Sequence, residues 1–182
     1  MRGPLSLLFG LTLATVLILP ASADEGWQHP VIKSGGAVRP LPDAAVQPDR
    51  TAVYKTIFSV TKGSDDAKSV NDALDHVART VNIFVSAGVP LDHLKFTVVV
   101  HGPALPLVLD NDHYQQLFRT DNPNLKLIAE LKAAGVELLV CGQALAAKKY
   151  DASWVNPDIK VALSALSTIV IRQQQGYALM PL

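Results

Sequence analysis

Two short, almost uninterrupted apolar runs constrain this chain most: Lys95–Val100 (KFTVVV) and Val136–Val140 (VELLV). A strand with one face in water alternates apolar and polar residues, whereas a strand buried on both faces does not, and such strands occur mainly in parallel sheets covered by helices. The runs end at His101-Gly102-Pro103 and at Cys141-Gly142. Between and around them the pattern changes to helical spacing. Val70, Leu74, Val77, Val81 and Phe84 recur at that spacing before Gly88 and Pro90 stop the helix, and Asn122-Pro123-Asn124 opens a second helix (LKLIAELKAAG) that Gly135 caps.

Further elements fill in the alternation. Val53–Val60 (VYKTIFSV) has the β-branched and aromatic content of a first strand, and the stretch Asp110–Arg119 holds a loop and short helix. Gln143–Tyr150 reads as a short helix and Ile159–Leu163 as a fourth strand. Ser164 as N-cap and Gly176 as stop define a helix from 164 to 175, and Tyr177–Leu182 is a last, edge strand. Strands alternating with helices in this way predict an α/β protein, a three-layer α/β/α sandwich on a mostly parallel sheet of about five strands.

The N-terminus carries a different signal. Arg2, an apolar run from Leu5 to Leu19, then Pro20-Ala21-Ser22-Ala23 form a secretory leader with cleavage expected after Ala23. The run is about fifteen residues, short of the roughly 20 that span a bilayer, so cleavage is a better reading than an uncleaved anchor. The chain divides into a signal peptide (1–23), an extended arm or linker (24–50) rich in Pro and Gly, and one α/β domain (51–182). The arm shows no apolar period, so packing on the domain, on a neighbouring subunit, or disorder are all open. The resulting location is periplasmic or secreted. Sixteen basic and sixteen acidic residues balance to zero net charge with no single-sign run, which argues against nucleic acid and, once the leader is gone, against membrane as partners.

Ligands of parallel α/β sheets bind beyond the carboxyl ends of the strands, which directs attention to His101, Cys141, Ser164 and the turn from Ser59 to Gly63. Cys141 is the chain's one cysteine. In an oxidising compartment a lone thiol is an inert core residue, an intermolecular crosslink or a working thiol. A helix starting directly after it would turn backbone N–H groups and the positive end of the helix dipole toward the sulfur, an arrangement that favours thiolate. Gly142 permits close approach, His101 at the end of the preceding strand is a candidate proton partner, and Gln143 could donate to an anion held over the sulfur. Ser164 reads as a helix cap, since no Gly-x-Ser-x-Gly surrounds it, which leaves a hydrolase on His101 and Ser164 without support. Asn122 and Asn124 flank Pro123 as turn and cap residues, and with Gly142, Gln143 and Ser164 complete the candidate binding positions. No dinucleotide or P-loop motif, no ligand spacing among the five histidines and no complete calcium loop is present, so neither a cofactor nor a metal is expected.

From about Tyr54 to Leu182 the chain resembles the DsrE/DsrF-like sulfur-relay family, especially its exported branch. The residues that carry the resemblance are His101-Gly102, Asn122-Pro123-Asn124, Ala134-Gly135-Val136-Glu137, Cys141-Gly142-Gln143, Ser164-Ala165-Leu166 and Gln174-Gln175-Gly176-Tyr177. The resemblance implies an α/β/α fold, self-association into trimers or hexamers, and a cysteine at Cys141 that accepts sulfane sulfur as a persulfide from an unidentified donor and passes it to an unidentified acceptor. The alternative is a non-catalytic oligomeric module that binds a small ligand, with Cys141 structural.

Overall fold

The structure, a computed structural model, describes residues 26–182. The leader and its cleavage site lie outside the described residues. Five strands are present: β1 (Tyr54–Val60), β2 (Leu94–Val100), β3 (Glu137–Cys141), β4 (Lys160–Ala162) and β5 (Ala178–Pro181). They form one sheet in the order β4-β3-β2-β1-β5, and every pairing is parallel, so the expected sheet is realised in its wholly parallel form. The helices are α1 (Asp72–Ser86), α2 (Asn111–Phe118), α3 (Leu125–Ala133), α4 (Gly142–Lys148) and α5 (Ala165–Gln174).

Local chemistry sets the boundaries. Helix α1 starts at Asp72 because the Asn71 side chain accepts from the amides of Ala73 and Leu74, as a good N-cap does. Val70 therefore falls in the turn before the helix, where it still packs against the core. Gly88, at φ 91°, takes the left-handed turn that ends this segment. The stretch after His101 forms a 3-10 helix, Gly102–Val108, with Pro106 inside it. This helix had no counterpart in the sequence reading, because it lacks a helical apolar period.

Strand alternation separates two cores. Phe58, Val60, Phe96, Val98, Val100, Leu138 and Val140 face α1 and α3 in the larger one, with Phe58 and Phe96 in an edge-to-face pair at 5.3 Å. The opposite residues Ile57, Val99, Leu139 and Cys141 form a smaller cluster beneath Ala165 and Ile169 of α5. From β1 to β4 the chain steps across the sheet in one direction, and α5 then carries it back over the second face to β5 beside β1.

The arm packs along α1. Gln28 and Val38 pair in a two-residue antiparallel bridge, and Ile32 is fully buried in the larger core. Asn82 of α1, itself buried, accepts from the amides of Val31 and Ile32 and donates to the carbonyls of Ile32 and Gly36. The carboxylate of Glu130 on α3 accepts from the amides of Lys33 and Ser34. Gly36 lies so close to α1 that a Cβ there would sit 2.2 Å from the Arg79 nitrogen.

Candidate functional site at the carboxyl end of the sheet

Strand β3 passes into α4 without a linker: Cys141 is both the last strand residue and the N-cap of the helix. Its side chain makes no capping hydrogen bond. The first-turn amides of a helix have no partner within the helix, and those of α4 directly follow the cysteine in the chain. Gly142 is required by space: a Cβ there would lie 2.8 Å from the Ala162 carbonyl oxygen on β4. The sulfur belongs to the smaller cluster, with the small side chains of Ala144, Ala162 and Ala165 around it, and Cys141 is only 6% exposed.

Register places His101 beside it. Val100, the last residue of β2, pairs with Val140, so His101, just beyond β2, follows in register with Cys141 at the end of β3. No hydrogen bond joins the two. The imidazole instead turns toward β1, where its Nε2 shares a 2.9 Å hydrogen bond with Ser59 Oγ. Burial holds the His101 pKa below its ordinary value of 6.5, because removing water penalises the charged ring. The imidazole of His101, the candidate proton partner, is thus hydrogen-bonded to Ser59 and not to the thiol. Ser59 itself is a buried residue of β1, within the strand expected over Val53–Val60 and one residue before its end.

The other candidates separate into two groups. Ser164 caps α5, its Oγ accepting from the Leu166 amide, and lies beside the contact between Gly142 and the β4 end. Gln143 is exposed in the first turn of α4. Asn122 and Asn124 are instead buried braces. Asn122 donates to the carbonyls of Leu107 and Leu109 and accepts from the Asn124 amide and side chain, while Asn124 accepts from the Asn71 amide. As binding residues they are therefore replaced by a structural role: their polar groups are already spent on holding the 3-10 helix and the start of α1.

One group escaped the sequence reading. Glu137, at the start of the cysteine's strand, accepts from Thr97 Oγ1 at 2.9 Å and pairs with Arg172 of α5. Arg172 also lies over the Tyr177 ring at 5.2 Å. These contacts fasten α5 across the face that holds Cys141. The only sequence signal was a carboxylate inside an apolar strand, which in a covered sheet demands a partner. Among the described residues no group of three or more His, Cys, Asp or Glu side chains is arranged to hold a metal.

Comparison with solved structures places the architecture. The chain is similar to a protein of unknown function, MTH1491, from Methanobacterium thermoautotrophicum, with a TM-score of 0.51, 20% identity, and coverage of 71% of this chain and 99% of the other. It is also similar to the ychN protein of E. coli, with a TM-score of 0.53, 10% identity, and coverage of 71% and 100%. At such identities the likeness speaks for the fold. No curated protein matches the chain. The model of the DsrE/DsrF-like family matches residues 55–182, from the second residue of β1 to the last of the chain, and on that match the protein belongs to the DsrE/DsrF-like family.

Proposed function

We propose that this is an exported DsrE-like protein that binds or relays sulfane sulfur as a persulfide on Cys141. The observation that carries the reading is the position of Cys141, ending an inner strand directly at a helix start, with His101 just beyond the end of the neighbouring strand. The family is generally linked to sulfur relay, which supplies the cargo. In the proposed step the sulfur of Cys141 attacks a sulfane sulfur of a polysulfide. A new S–S bond forms at Cys141, the donor's S–S bond breaks, and the electron pair leaves with the polysulfide shortened by one atom. No external oxidant is needed. His101 can take up the thiol proton, and the α4 amides with Gln143, Gly142 and Ser164 form the pocket for the terminal sulfur anion. The donor and acceptor are small molecules or proteins that present sulfane sulfur.

Incubation with polysulfide followed by intact mass measurement tests this. A gain of sulfur atoms that dithiothreitol removes and that Cys141→Ser abolishes is expected. Absence of the adduct, or its persistence in Cys141→Ser, sinks the reading.

One observation favours a second reading, a small-ligand-binding module with structural Cys141: the thiol is 6% exposed within an apolar cluster. Labelling by a thiol reagent separates the two. A carrier labels in the native state, whereas a structural cysteine labels only on unfolding.

Under either reading we place the protein in a homo-oligomer, a trimer or hexamer. Support comes from the apolar side chains that the α5 face leaves in water, with Leu163 76% and Leu166 79% exposed, since such patches mark contact surfaces. Export with cleavage after Ala23 to the periplasm or beyond completes the proposal, and the N-terminal sequence of the protein recovered outside the cytoplasm, expected to begin at Asp24, tests it.

A further inference from the structure

A groove of about 570 Å³ lies between the arm and α1, on the far side of the molecule's larger core from Cys141. That volume is within the range of small-molecule pockets, roughly 300–1,000 Å³. Its walls are apolar, with Trp27, Val38, Leu41, Val46 and Ile83 contributing, yet three guanidinium groups, Arg39, Arg50 and Arg79, border it, and among the described residues no acidic side chain lines it. Arg79 is paired with Asp75 at 3.0 Å, and Arg50 uses its Nε to donate to the Ala87 carbonyl. Arg39 makes no ion pair among the described residues. An apolar trough rimmed by positive charge matches one ligand chemistry, an apolar body with a negative head.

The groove is also held in shape. Gln47 donates to the carbonyls of Leu41, Pro42 and Ala44 and so rounds the outer loop, while Asn82 fixes the inner edge of the arm. Arg50 packs against Gly88, where a Cβ would come within 2.9 Å of its Nε. A site with fixed walls loses less entropy on binding than one that must first fold.

We infer that this groove binds an amphipathic organic anion, a medium-chain carboxylate, with the head between Arg39 and Arg50 and the chain along Ile83, Val38 and Trp27. The site is independent of the sulfur chemistry. Calorimetric titration of the purified protein with decanoate tests it, and Trp27 emission in a Trp154→Phe background reports whether the ligand sits in the groove. Saturable binding is expected, with Arg39→Gln about tenfold weaker, as for a lost hydrogen bond to a charged group. Ile83→Asn, at an exposed position on α1, is expected to weaken it about fivefold. Decanol, of equal length without charge, is expected to bind far more weakly, and Cys141→Ser to bind decanoate unchanged. No saturation, or equal affinity for decanol and decanoate with Arg39→Gln unaffected, overturns the inference. So does an assembly mass that falls in Ile83→Asn when decanoate does not bind the unaltered protein, because the groove is then a contact between copies of the chain.

Discussion

The two faces of the sheet are covered very differently. On one, α1 and α3 with the arm bury Phe58, Phe96, Leu74, Leu131 and Ile32 almost completely. On the other, a single ten-residue helix, α5, buries only Ala165 and leaves Leu166, Val170 and Ile171 exposed. The first face carries most of the apolar burial that drives folding, at about 25 cal/mol per Å². The second holds the cysteine, the Ser59–His101 pair and the Glu137–Arg172 tether. Stability and site are thus divided by the plane of the sheet, and side chains of adjacent strand residues serve different ends.

The largest expected effect tests the stable face. Phe58→Ala removes a fully buried ring from its pair with Phe96, and should cost about 3–5 kcal/mol in urea unfolding. A loss below about 1 kcal/mol would mean that the two faces contribute alike. Leu166→Asp should change the unfolding free energy of the isolated subunit by no more than about 0.5 kcal/mol, yet lower the mass of the assembly seen by light scattering. If the mass is unchanged, the exposed α5 face is not the contact surface.

The smallest effect concerns pH. The His101 pKa lies below 6.5 through burial, so the unfolded chain takes up a proton before the folded one does. Stability from this residue is therefore present above about 6.5 and is lost as the pH falls through the folded-state pKa. Replacing His101→Asn should flatten that part of the stability–pH curve. A curve identical to the parent's between pH 5 and 7 would show that the ring is as solvated in the folded protein as in the unfolded one.

Much of this was legible in the sequence for a local reason. Strands β2 and β3 announce themselves as apolar runs, Ser164 and Gly135 mark helix ends, and Cys141 stands where one run stops. What could not be read depends on side chains that meet across long stretches of chain. Ser59 and His101 are 42 positions apart, and Glu130 reaches back 97 to the Lys33 amide. No periodicity encodes such pairings. The packing of the arm was hidden for a related reason: its anchors, Asn82 and Glu130, grip backbone groups, which every sequence possesses. Asn122 and Asn124 misled because an Asn beside Pro looks the same whether it faces a ligand or a carbonyl.

The return of the chain through α5 has a mechanical consequence. Both edges of the sheet, the three residues of β4 and the four of β5, are short, and this one helix joins them along the chain. Lifting α5 would loosen both margins together while β1, β2 and β3 stay paired, so residues 160–181 are expected to open as one unit at less cost than global unfolding. Such a subglobal excursion would uncover the thiol beside Ala165 without disturbing the aromatic interior on the other face, and amide exchange should show this C-terminal unit opening as a block.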